Sequence, residues 1–214
     1  MDLFEAVRQR RSIRVFKDEA VPEELIEKII EAAQWAPSAC NSQEWRFIVI
    51  DNPEVKEKLL KETTAYFVGR APLLILVLYS NRTHNFEYKD HLLSAAMAIQ
   101  NMQLAAHALG LGSCCVNNLP PKRKLRNLFT IPRCFDPVSL LCLGYAKEVP
   151  KPLFRKNPID NIISFNKFEF NYTCPEVDYK ISLKRFARFL YYKLPLPIRT
   201  RVETIGRKFE KRFD

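Results

Sequence analysis

Three short segments hold the residue types that could do chemistry. In the first, Arg10, Arg11, Ser12 and Arg14 place three guanidiniums and a hydroxyl within five residues. Guanidinium forks bind phosphate oxygens in pairs through charge-assisted bonds, so a dianionic phosphate is the ligand such a cluster would take. Taken alone, its commoner meaning is a solvated basic face. The second segment, residues 36–47, contains Pro37, Ser38, Ala39, Asn41 and Gln43. Small residues let backbone approach a ligand closely, and the two amides offer paired donors and acceptors to a flat ring with a pyrimidine-like edge. An ordinary polar turn would look the same. The third segment runs from Gly110 through Gly112 and Cys114 to Cys115, Val116, Asn117 and Asn118. Two glycines between a helix and a strand permit tight passage beside a cofactor, although a lone GxG more often serves as a helix stop. It is no dinucleotide fingerprint, because the GxGxxG run and its preceding strand are absent.

Other chemistries find less support. The six cysteines stand at 40, 114, 115, 134, 142 and 174, with no CxxC spacing, and His84, His91 and His107 form no ligand pattern. Zinc and iron–sulfur sites need closer thiolates, so no metal is expected. Buried, reduced thiols are the expected role for most of the cysteines, including Cys114 and Cys115. No carboxylate or histidine stands out as a nucleophile or general base.

The elements that must position these segments can be read from periodicity. Asp2 can cap a first helix leading to Arg10 and Arg11. Pro22 with Glu23 and Glu24 opens a second helix, carried by Leu25, Ile26, Ile29, Ile30 and Ala33 and stopped by Pro37. Residues 47–50 read as a buried strand, followed by a short helix opened by Asn52 and Pro53. Residues 73–79 are apolar on both faces, as in a central strand covered by helices on each side. Residues 91–109 form a long alanine-rich helix without a clear polar face, which implies burial in a core or a subunit interface, and Gly110 ends it. Residues 138–145 are a further buried strand, and 162–170 could be a last extended segment. Helices and strands in this order point to a layered α/β architecture.

With 214 residues and mean hydropathy −0.21, the chain can bury one sizeable core. An acidic start without an apolar stretch behind it, and no run of eighteen apolar residues, make a cytoplasmic protein the expectation. The net charge is +10, and residues 166–214 hold twelve Lys/Arg against six Asp/Glu. This tail is too short to bury a core alone and reads as an appendage. In it Leu183, Phe186, Ala187, Leu190 and Tyr191 share one helical face, with Lys184, Arg185 and Arg188 off it. A strongly basic last helix is expected over about 198–213. Aromatic residues among the basic ones suit a strap packed on the domain or its dimer partner, or a helix lying on anionic lipid. Nucleic acid is less favoured, with no recognised fold for it.

The order RRSIRVF, PSACNSQEWRF, GLGSCC and LFTIPRCFDPVSLLCLGY resembles the nitroreductase family of FMN proteins across residues 1–165. Each fragment is weak by itself; four in order at compatible spacings are specific. The resemblance implies an α+β fold, a three-layer α/β/α sandwich with a mixed, largely antiparallel central sheet, in residues 1–165. Residues 166–214 would then be a basic C-terminal extension of an extended segment plus helices. It implies a homodimer with FMN at the interface and the 91–109 helix in that interface. Arg10, Arg11, Ser12 and Arg14 would grip the FMN phosphate and ribityl chain, and Arg155, with Lys156 beside it, would return to the phosphate. Pro37, Ser38, Ala39, Asn41 and Gln43 would line the flavin from the partner subunit. The backbone around Cys115, Val116 and Asn117 would face the reactive ring nitrogen. The chain departs from the family at Glu44, where proline is common, and at Cys115 and Asn117, where an aromatic residue and a glycine are common.

The activity so implied is hydride transfer from NADH or NADPH through FMN to a nitroaromatic, quinone or similar acceptor. The flavin carries the chemistry and no catalytic side chain is required. Reductive dehalogenation or flavin cleavage are the activities of relatives with added lid segments, and a basic membrane- or nucleic-acid-binding protein acting through the tail is the reading from another class.

Overall fold

A computed structural model describes residues 1–63, 65–83, 85, 87–150, 155 and 157–170, and a further set between 183 and 198, namely 183, 186, 187, 189–191, 193–195 and 198. The chain divides into two compact units, Met1–Pro150 and Lys151–Asp214.

The first unit is built on one antiparallel sheet of four strands, β1 (Trp45–Ile50), β2 (Leu73–Ser80), β3 (Gly112–Val116) and β4 (Phe135–Gly144), in the order β1-β2-β4-β3. All eight residues of β2 are buried. Successive side chains of a strand point to opposite faces, so β2 feeds two cores. Leu74, Leu76 and Leu78 pack with Leu59, Val68 and Leu125 on one side. Leu73, Ile75, Val77 and Tyr79 pack with Ile29, Ala95, Ala98 and Met102 on the other. Helices therefore cover both faces, as expected for a three-layer α/β/α sandwich of the α+β class. Among the described residues the parallel component is one bridge between Ser12 and Ser113. The β2–β4 register shifts between Val77 and Leu78, where Pro137 stands opposite Leu78. Proline has no N–H to give to the ladder, which accounts for a bulge there.

On the Leu73 side lie α2 (Glu23–Gln34) and α4 (Asp90–Ala108); on the Leu74 side lie α3 (Pro53–Leu60) and α5 (Lys122–Phe129). The first helix, α1 (Leu3–Gln9), is capped by Asp2, whose carboxylate accepts from Phe4 N. Asn52 caps α3 through Glu54 N and Val55 N at 2.9 and 3.2 Å. Two helix ends fall where the sequence indicates: α2 stops at Gln34, ahead of Pro37, and α4 stops just before Gly110, whose φ is +80°.

No local signal in the sequence marks α5. Its Lys122-Arg123-Lys124 opening lacks the acidic first turn that marks other helices here, and a single residue, Leu125, is buried. In the second unit, residues 162–170 are not the extended segment expected from their composition. Ser164 Oγ accepts from Glu169 N at 3.1 Å and donates to Lys167 O, and Asn166 has φ +66°, so the chain turns back on itself there. The described positions from Leu183 to Lys193 are helical. The last basic helix expected over about 198–213 lies, but for Ile198, outside the described residues.

Candidate functional site

The arginine segment is held against the outer edge of β3. After α1 ends, Ser12 bridges Ser113 and Ile13 N donates to Ser113 O at 2.9 Å. Ile13 and Phe16 are buried in the core, which anchors the segment, while Arg10, Arg11, Ser12 and Arg14 stay half-buried beside them. Close approach requires Gly112: a Cβ there would stand 2.7 Å from Ile13 Cγ1. Arg11 Nη1 donates to the carbonyls of Arg8 and Arg10, and the Arg14 guanidinium sits 5.6 Å from the centre of the Phe67 ring. Among the described residues, no carboxylate forms an ion pair with Arg10 or Arg11.

Two neighbours register this positive field. His107, in the last turn of α4, is held below the ordinary histidine value by burial and by the charges of Arg10 and Arg11, with Glu5 opposing. Its Nε2 is buried without a hydrogen-bond partner among the described residues. Burial pushes the Cys114 thiol up, and Arg14, Arg10 and a hydrogen bond with Ser12 only partly offset this. Sequence reading missed His107 as a member of this cluster, since nothing in its spacing links it to Arg10.

The same strand edge carries the third segment. Ser113 turns its carbonyl away from β4, so by strand alternation the backbone of Cys115 points from that edge too. Cys115 Sγ lies 3.0 Å from Ser139 Oγ and 3.6 Å from Asn117 Oδ1, and Ser139 Oγ donates to Val116 O at 3.2 Å. Val116 buries its side chain in the core, so only its backbone can meet a ligand; Asn117 is exposed.

The second segment is the loop between α2 and β1. Cys40, Asn41 and Gln43 have φ of +51°, +53° and +50°, a left-handed conformation that costs non-glycine residues about 1–2 kcal/mol each. The loop is held by tethers: Ala39 N donates to Ser94 Oγ at 3.0 Å, Ser42 Oγ pairs with Tyr79 Oη at 2.8 Å, and Gln43 N donates to Ser38 Oγ at 3.1 Å. Gln43 Nε2 donates to Asn41 Oδ1 at 2.7 Å, which joins the two amides. Pro37, Asn41 and Gln43 are exposed. A cleft of about 570 Å³ beside the loop is lined by Gln43 with Ile30, Gln34, Trp45, Arg46 and Phe47. Ser94 and Tyr79, which hold the loop, were not legible as site residues because both lie in otherwise apolar elements.

The structure thus brings together Arg10, Arg11, Ser12 and Arg14 with Cys115, Val116 and Asn117. It does not bring the 37–43 loop to them within one chain. The loop is tied to Ser94 near the start of α4 and the arginines face His107 near its end, about 20 Å away at 1.5 Å per residue. Arg155 is exposed and belongs to the second unit.

This residue set fits FMN. Among the described residues Arg10 and Arg11 have no carboxylate partner and His107 Nε2 has no hydrogen-bond partner, and with Ser12 they are a donor set for a phosphate. The outward backbone of Cys115 and the amides of Asn41 and Gln43 suit a heteroaromatic ring edge. Fold and donors together make a site suited to a flat, anionic ligand against a sheet edge. The chain belongs to the nitroreductase family, whose model matches residues 7–65 and 59–145, and it is an oxidoreductase of that family. A protein of Methanothermobacter thermautotrophicus, provisionally named an NADH dehydrogenase/NAD(P)H nitroreductase, is 40% identical over 158 residues, covering 70% of this chain and 80% of its own. Iodotyrosine deiodinase 1 of Homo sapiens is 27% identical over 197 residues, covering 76% of this chain and 68% of its own. Among solved structures, the FMN-dependent nitroreductase of Clostridium difficile R20291 has a TM-score of 0.66 at 29% identity, covering 78% of this chain and all of its own.

Proposed function

We propose that the chain is an FMN-dependent oxidoreductase passing hydride from NADH or NADPH to a nitroaromatic, quinone or similar acceptor. The observation that carries this reading is the pair Arg10 and Arg11, fixed beside β3 by the Ser12–Ser113 bridge with no carboxylate to neutralise them among the described residues. Bound FMN supplies hydride acceptance and donation, and the protein supplies binding and orientation. Arg10, Arg11, Ser12 and Arg14 bind the phosphate and ribityl end. The backbone of Cys115, Val116 and Asn117 orients the ring. Residues 1–165 form the flavin-binding part on this reading, with 166–214 as an appendage.

The site is completed in a homodimer. The 37–43 loop is tethered at Ser94 and the arginines act on His107, about 20 Å further along α4, which supports a partner's loop with Pro37, Ser38, Ala39, Asn41 and Gln43 at each flavin. Leu93 and Met97 on α4, with Leu3 and Phe4 on α1, are exposed apolar residues that such an interface would cover. The likeness to iodotyrosine deiodinase 1 supports a second reading, reductive dehalogenation of a halogenated phenol.

The test is turnover of the purified, FMN-loaded protein with NADH and NADPH against nitroaromatics, quinones and halogenated phenols. Nicotinamide oxidation that depends on a nitroaromatic or quinone supports the first reading. Halide release without nitro or quinone reduction supports the second. Neither activity in a flavin-loaded dimer rejects both.

A further inference from the structure

The helical stretch from Leu183 to Lys193 is used by no part of the proposed flavin site. Its described apolar residues point to solvent: Leu183 is 68% exposed, Phe186 58% and Leu190 46%. These three and Ala187 recur at i, i+3, i+4 and i+7, so they form one face. In the sequence, Lys184, Arg185 and Arg188 stand between these apolar positions. Lys193 closes the stretch, its ammonium 4.4 Å from the centre of the Phe189 ring. Aliphatic stems of this kind can lie along apolar surface while their charged heads remain in water.

We infer that the apolar face of residues 183–193 docks on an anionic lipid surface, lying in the headgroup region with its basic residues toward the headgroup charge. Charge decides between this occupant and a second copy of the chain. Residues 166–214 carry twelve Lys/Arg against six Asp/Glu, so two copies meeting through this helix bring like charge together, whereas anionic headgroups neutralise it. Length decides between lying and spanning. From Leu183 to Lys193, ahead of Pro195, the stretch reaches about 16 Å as a helix, short of the roughly 30 Å of a bilayer core. Among the described residues no helix is long and apolar enough to cross a membrane. A short amphipathic helix with a basic face is the element that binds an interface by apolar burial plus electrostatics.

The experiment is co-sedimentation of the full chain with phosphatidylcholine vesicles, with and without phosphatidylserine, at low and high salt. Retention should require phosphatidylserine and fall steeply as salt shortens the screening length toward about 3 Å at 1 M. Lys193→Gln should weaken retention roughly fivefold, the worth of one basic residue near such a surface. Leu183→Asn with Phe186→Asn should weaken it further while far-UV circular dichroism stays unchanged. No retention, or retention equal on neutral vesicles, would overturn the inference. So would a double variant that leaves retention intact but converts a dimer to a monomer, which would assign the face to a second copy. None of these readouts depends on flavin, so failure here leaves the flavin reading standing.

Discussion

Ala39 N donates to Ser94 Oγ at 3.0 Å, and Ser94 Oγ donates in turn to Asp90 O in the first turn of α4. The strained 37–43 loop is thus fastened to one end of the central helix, while His107 near the other end faces Arg10 and Arg11. Ser94→Ala removes the fastening and leaves Ala39 N–H without its acceptor. It should cost about 1–2 kcal/mol in urea unfolding and weaken FMN binding, although residue 94 stands far from the arginine cluster of its own chain. Unchanged FMN affinity in a folded variant would detach the loop from the cofactor.

Gly112 and Ile13 form the second relationship that can be probed. Ala at 112 places a Cβ about where Ile13 Cγ1 begins, and Ile13 cannot move without moving Arg10–Arg14 with it. Gly112→Ala should destabilise by roughly 1–3 kcal/mol, the usual cost of overpacking. It should also raise the FMN dissociation constant by more than Ile13→Val does. Thermal unfolding and flavin titration on the same samples measure both.

Asp136 is the hub of the polar cluster at the start of β4. Burial alone would raise its carboxyl, but hydrogen bonds from Lys122 and Asn81 and the charges of Lys122 and Arg126 hold it below the ordinary aspartate value. A carboxylate with a depressed folded value binds its proton more readily unfolded, so its contribution is present above about pH 4 and lost as pH falls through the folded value. Asp136→Asn should therefore lower stability at neutral pH and flatten the loss below pH 4. Parallel acid profiles for the two proteins would contradict this.

Thiol reactivity should separate the cysteines. Cys40 is exposed on the loop, whereas burial pushes the Cys142 thiol far above its usual value and raises Cys114 as well. Iodoacetamide on the native protein should alkylate Cys40 ahead of Cys114 and Cys142, which stay unmodified until unfolding, as read by peptide mass spectrometry.

Much of this architecture is legible in the sequence because its signals are local. The run from Leu73 to Tyr79 is apolar on both faces and is the central strand; Asp2, Asn52 and Gly110 mark helix ends by their own chemistry. Both α5 and the turn at 164–169 escaped because their causes are not local patterns. The first buries one leucine behind a basic opening, and the second turns on a serine hydroxyl and a left-handed asparagine. Of the site, the arginines and the loop amides show by type and spacing. The tethers at Ser94 and Tyr79, and His107 beside Arg10, exist only once α4 and β2 are packed.

The most direct test is the absorption spectrum of the purified protein, repeated with Arg10→Ala and Arg11→Ala and after acid release of the chromophore. The account predicts a flavin spectrum, FMN as the released species, and affinity reduced about 10- to 100-fold in either variant, as expected for losing a charge-assisted hydrogen bond. A colourless protein that takes up no added FMN, or one whose flavin affinity is indifferent to both arginines, would contradict it.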